Sequence, residues 1–167
     1  MADPTPALLP SLADSCRATA GVLRQLGAEA FVDRRQGASV GEHVRHCIDH
    51  FAVLLDGLEA GAVDYDHRRR GWAGETDHAL AADTLDAIAA RIAALDPAIL
   101  ERPLTVQVTV EPGRPAATLT STVARELCFC QSHLIHHNAL ISKLAAGLGR
   151  ELPGDFGYAP STLAHLA

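Results

Sequence analysis

The chain has 167 residues, and its 14 lysines and arginines against 20 aspartates and glutamates give a formal net charge of −6. Hydrophobic residues make up 48% and aromatics only 4%, which excludes a disordered chain and favours packed helices over a β-sandwich. The acidic balance argues against a nucleic-acid partner, and no run of about 18 apolar residues is present to cross a membrane.

The opening MADPTPALLPSLADSC has acids and prolines where a secretory signal has a basic start. Cys16, Cys47, Cys128 and Cys130 are therefore expected as reduced thiols in a cytoplasmic protein. Three of the four fall on apolar-leaning helix faces and read as small hydrophobic filler. Cys128-Phe-Cys130 lacks the two-residue gap of the common redox and zinc pairs.

The length fits a single domain over residues 1–167. A first helix is expected from about residue 6 to 26, with Pro6 near its start and Gly27 just past its end. After a connector at Arg34-Arg-Gln-Gly37, Ser39-Val-Gly-Glu42 matches a capping box. Behind it Val40, Val44, Cys47, Phe51, Leu54 and Leu58 step by fours and threes, a helix-bundle seam that ends among the glycines at 57 and 61. Residues 62–76 are polar and read as a long connection. Tyr65, Asp66, Arg68, Arg69 and Arg70 in it are expected as a solvated loop, with a clamp for a substrate carboxylate or thiol cofactor as the sharper alternative.

Thr76 or Asp77 can cap a third, alanine-rich helix that ends near Asp96-Pro97. Leu104-Thr-Val-Gln-Val-Thr-Val110 then alternates with β-branched residues. With a turn at Glu111-Pro-Gly-Arg114 and a return through Ala117-Thr-Leu119, it predicts a small hairpin before the last helix. The last helix spans about residues 122–148, along Val123, Leu127, Cys130, Leu134, His137, Ile141, Leu144 and Leu148, with Gly149 as terminator. The tail is expected to be a loop that packs back, with a final turn begun at Ser161. The predicted fold class is all-α: an antiparallel four-helix bundle with a β-hairpin inserted before helix four.

Six of the nine histidines lie in two short windows, GEHVRHCIDHF (His43, His46, His50) and SHLIHHNALI (His133, His136, His137). His133 and His137 differ by about 40° around a helix and sit one turn apart, so both imidazoles can reach one metal ion. His137 falls in an otherwise apolar seam, where an imidazole costs free energy unless its nitrogens find partners. On helix two, His43, His50 and His46 lie about 60°, 80° and 120° to one side of the seam. Periodicity alone prefers His43 or His50. Three histidines would leave a coordination position open, as catalytic metal sites do.

At these residues the chain resembles the DinB-like proteins, a group that includes damage-inducible bundle proteins, bacterial thiol transferases and the N-terminal domain of ergothioneine synthases. The resemblance spans nearly the whole chain: four helices, an early histidine on helix two and a histidine pair on helix four. The family's early ligand precedes a hydrophobic residue and then an acid three positions on, and His46-Cys-Ile-Asp49 fits that phrase. His133-Leu-Ile-His136-His137 fits the second phrase, which makes His136 a polar neighbour. The chain departs from the pattern at Asn138-Ala-Leu-Ile141, where a glycine-glutamine phrase often follows the second histidine.

The resemblance implies that His46, His133 and His137 hold one divalent metal, zinc or nickel. It implies a metal-dependent hydrolase or a low-molecular-weight-thiol S-transferase acting on a small molecule. The alternatives are a non-catalytic metal- or ligand-binding stress-response bundle and a structural histidine network. A homodimer is expected, paired through the alanine-rich helix three. Glu126 lies within about 20° of His133, two turns away, and is the candidate general base. Its simpler reading is a first-turn acid stabilised by the helix dipole. Asp49 could accept a proton from a ligand imidazole or pair with Arg45.

Overall fold

In a computed structural model of the chain, residues 5–66 and 71–166 are described. Arg68, Arg69 and Arg70, offered above as part of a clamp, lie outside them. Among the described residues five helices carry most of the structure: α1 Thr5–Val32, α2 Val40–Gly57, α3 His78–Ala93, α4 Val123–Gly147 and α5 Pro160–Leu166. A three-stranded sheet accompanies them, built from β1 Ala62–Asp64, β2 Pro103–Val108 and β3 Ala117–Thr122.

The helix ends follow local chemistry. Ser39 and Glu42 form the reciprocal capping box: the Glu42 amide donates to the serine hydroxyl at 3.2 Å, and the Ser39 amide donates to the glutamate at 2.8 Å. Asp77 caps α3 by accepting from the amides of Ala79 and Leu80. Thr122 caps α4. At the far end of α4, Gly149 takes a φ of 68°, and the Arg150 amide turns back to the Ala145 carbonyl at 2.8 Å, which closes the helix as expected.

Two boundaries differ from the sequence reading. Gly27 does interrupt α1, with φ 74° and ψ 174°, but the chain resumes helix as far as Val32. That extra turn buries Ala30 and Phe31, and the apolar contact outweighs the break. Helix α3 stops at Ala93, three residues early, because Asp96 caps a separate short 3-10 turn at Pro97–Ile99.

The expected hairpin is present as antiparallel β2 and β3, with Leu104 opposite Ser121 and Val106 opposite Leu119. Leu104 and Val106 are buried while Pro103, Thr105 and Gln107 are exposed, so one face of the hairpin lies on the helices. The connection after α2 adds β1, parallel to β2 with Val63 beside Val106. Three residues are too short a run to signal a strand by alternation alone. Gly57 ends α2 against the Ala62 carbonyl, so closely that a Cβ there would collide with it.

Helix α1 packs on α3, α2 packs on both α3 and α4, and α4 also touches α1. The α2 seam is buried throughout, from Val40 to Leu58. The α4 seam is buried only in part. Val123, Leu127, Cys130, Leu134 and Ile141 are in the core, but His137, Leu144 and Leu148 are half-buried and Asn138 and Ala145 replace them. A straight helix drifts about 20° per heptad from a seven-residue repeat. By the second and third heptads that drift carries positions 137 and 144 off the core and onto the flank of α4 that also carries Glu126 and His133.

The cap of α2 sets where its histidines begin. Ser39→Ala should therefore cost about 1 kcal/mol of unfolding free energy, read from urea denaturation, with the slope of the transition unchanged.

Candidate metal centre and adjoining cleft

On α2 and α4 the histidines occupy the flank beside the apolar seam rather than the seam itself. The two helices pack with these flanks turned toward each other, so imidazoles from both meet. The ring of His133 lies 4.8 Å from that of His46 and 4.6 Å from that of His137 between centroids, and His46 and His137 are 5.0 Å apart. The rings of the three positions expected from the family phrase are thus neighbours, but the histidines whose ligand atoms converge are His46, His50 and His133, without His137. His50 joins them, with its ring 4.6 Å from His46 and 4.5 Å from His133. One potential ligand atom from each of His46, His50 and His133 falls within 4.8 Å of the others.

His43 stands at the outer end, its Nδ1 2.9 Å from Nδ1 of His137. One of those nitrogens carries the proton and the other accepts it, so the pair is hydrogen-bonded only while at least one ring is neutral. His136 is exposed, as a polar neighbour should be. Asp49 is buried and takes the Arg45 guanidinium at 2.9 Å, while Arg45 also reaches Glu75 at 2.7 Å. That arrangement realises the ion-pair reading of Asp49. Glu75 can come so close because Gly41 has no side chain: a Cβ there would strike the Glu75 carbonyl.

The electrostatics favour neutral imidazoles. Burial, followed by the neighbouring His133 and His43, lowers the His137 pKa from 6.5 to about 4. Burial also lowers that of His43. Metal ligation requires unprotonated nitrogen, so closely spaced imidazoles, with His137 held in the neutral form, are a donor set that fits a divalent ion.

Beside the cluster lies a cleft of about 500 Å³. His50 forms part of its wall, Val106, Leu119 and Phe129 give it an apolar lining, and Glu126 and Tyr65 supply polar groups. Glu126 is only 7% exposed and accepts hydrogen bonds from the Tyr65 hydroxyl at 2.8 Å and the Ser121 hydroxyl at 2.6 Å. It is therefore more than a first-turn acid facing solvent. Tyr65 in turn stacks on His50, with centroids 5.3 Å apart and planes 21° from parallel. Burial, with Cys130 and Glu126 nearby, drives the tyrosine pKa well above its usual value, so it acts as a donor and not as a phenolate.

In the sequence Tyr65 stands within a polar connection, as a solvated loop or a clamp for a carboxylate or thiol, and Ser121 and Phe129 are not singled out. Ser121 had a faint signal, a hydroxyl beside the Thr122 cap and five residues ahead of Glu126. Of the cysteines, Cys16, Cys47 and Cys130 are buried and Cys128 is exposed. Burial raises the thiols of Cys16 and Cys130 to about 12 and shifts Cys47 upward as well, so these three are protonated filler.

A family model described as DinB superfamily matches residues 9–141. A curated protein described as FK506-binding protein 5, from Rhizopus delemar, is 33% identical over 105 residues, which is 62% of this chain and 27% of that protein. The chain thus spans about a quarter of that relative's length. No solved structure matches the chain.

The depressed His137 pKa has a consequence for the metal-free protein. Below pH 6.5 an unfolded chain protonates this ring while the folded chain resists until about 4. Its contribution to stability is therefore complete above pH 6.5 and lost as pH falls toward 4. The melting temperature should drop across that window in the wild type. In His137→Gln the drop should be shallower, and an equal slope in the two proteins would contradict the assignment.

Proposed function

The chain belongs to the DinB superfamily, and from that premise we propose that it is a divalent-metal-dependent enzyme that transfers a low-molecular-weight thiol to an apolar electrophile. The observation that carries the reading is the junction of the imidazole cluster with an apolar cleft through one shared wall residue, His50. The proposal includes an antiparallel arrangement of the four long helices, in which α2 and α4 point ligands into the space between them.

His46, His133 and His137 would hold the ion. When bound, it supplies Lewis acidity that makes a thiol anionic near neutral pH. The rest is work for the chain's own groups. Val106, Leu119 and Phe129 exclude water from the cleft and bind the apolar body of the electrophile. A carboxylate has about four acceptor sites, so Glu126, with Tyr65 and Ser121 fixing its orientation, can still accept the thiol proton. The sulfur then bonds to the electrophilic carbon as the bond to the leaving group breaks with its electron pair. Water in place of the thiol turns the same arrangement into a hydrolase.

Nickel- or zinc-loaded protein is to be assayed with a panel of small thiols and aryl halide or epoxide electrophiles. The wild type should form the thioether, and Glu126→Gln should lower kcat by about 10²-fold with metal content unchanged. Product formed at the same rate without thiol assigns hydrolysis. No turnover by metal-loaded wild type across the panel would contradict catalysis and favour a non-catalytic metal-binding protein.

A further inference from the structure

We infer that His50 is itself a ligand of the ion, so that the site is a cradle of four imidazoles made from two facing pairs, His46 with His50 on α2 and His133 with His137 on α4. The inference rests on the reading that a divalent ion occupies the histidine cluster, and it adds a ligand that the family phrase does not supply.

The spacing argues for it first. His46 and His50 are four residues apart, as His133 and His137 are, so each helix presents two imidazoles one turn apart on one flank. The ring separations within the two pairs are the same, 4.6 Å for His46–His50 and 4.6 Å for His133–His137. Across the helices, His50 approaches His133 to 4.5 Å, closer than His46 comes to either His133 at 4.8 Å or His137 at 5.0 Å. The compact trio of potential ligand atoms, within 4.8 Å of one another, contains His50.

The tautomer argues for it second. Nδ1 of His50 lies 2.8 Å from the His46 carbonyl, which can only accept, so Nδ1 carries the proton and Nε2 holds the lone pair. Ligating histidines are commonly oriented in this way, with one ring nitrogen donating to a backbone carbonyl while the other meets the metal. Stacking on Tyr65 restrains the ring from the other side.

The placement has a functional consequence. Among the four imidazoles only His50 also lines the cleft, so its ligation brings the ion to the cleft's inner end. With four imidazoles holding it, the ion would have to accept a further ligand for substrate to reach it.

Cobalt(II) serves as the spectroscopic probe on the full chain. His50→Gln should weaken cobalt binding by at least about tenfold, since loss of even an outer-shell partner costs 10–100-fold, with an unchanged circular dichroism spectrum. His50→Cys should introduce a near-ultraviolet thiolate-to-cobalt absorption that the wild type, with its own four cysteines, does not show. The new band, with the weakened binding beside it, supports His50 as a ligand; weakened binding without the band assigns His50 an outer-shell role and overturns the inference. Wild-type affinity in His50→Gln together with no new band in His50→Cys overturns it and leaves the remaining three histidines as the site. A wild-type chain that takes up no cobalt overturns the metal reading itself, and this inference falls with it.

Discussion

The contact between the flanks of α2 and α4 is the constraint on which the rest of the site depends. Each helix commits an apolar seam to the core and leaves its histidines just beside that seam. Packing the two helices together places five imidazoles in one small volume, with His43 and His137 bonded ring to ring at 2.9 Å. Such crowding disfavours protonation at His137 and His43, where a new charge would meet both a desolvated environment and its neighbours. The depressed pKa values of His137 and His43 are the direct expression of that. A structure that holds imidazoles neutral and close has solved the two main demands of a metal site, ligand basicity and proximity.

The hairpin contributes the second half. Strand β3 runs straight into α4, with Thr122 as both the last strand residue and the helix cap. The start of α4 is tied down further by the amides of Val123 and Ala124, which donate to the carbonyls of Arg102 and Leu100. That junction fixes Ser121 against Glu126, and Val106, Leu119 and Phe129 line the same cleft. Leu119 is 54% exposed, an apolar side chain facing open space in a concave setting. Under the proposed function a cleft lined in this way would bind an apolar body, and the buried carboxylate at its side, oriented by two hydroxyls, would accept the proton.

Much of this was legible in the sequence because it depends on local periodicity. The α2 seam, the capping box, the hairpin and the ends of α4 all follow from spacing and cap chemistry, and the His133–His137 pair announced itself as a one-turn repeat. Other parts depend on what the helices meet. The burial of His137 was overestimated, since a fixed four-three rhythm ignores the drift of a straight helix, and Asn138 takes the core place instead. The turn past Gly27 was missed because a glycine with a positive φ ends the regular hydrogen bonding without ending the apolar face. Strand β1 exists only through its parallel pairing with β2, forty residues away in sequence, and Tyr65 reaches Glu126 from the end of that strand. Seam geometry had favoured His43 or His50 on helix two and the family phrase favoured His46; the structure gathers all three near the α4 pair.

The central claim, that the facing flanks of α2 and α4 hold one divalent ion, is tested most directly by elemental analysis of untagged protein purified without chelators and exposed to nickel or zinc. The account predicts one ion per chain, and none in a His46→Ala/His133→Ala double variant that keeps the wild-type helical signal. A wild-type chain without bound metal, or a double variant that binds as well as the wild type, would contradict it.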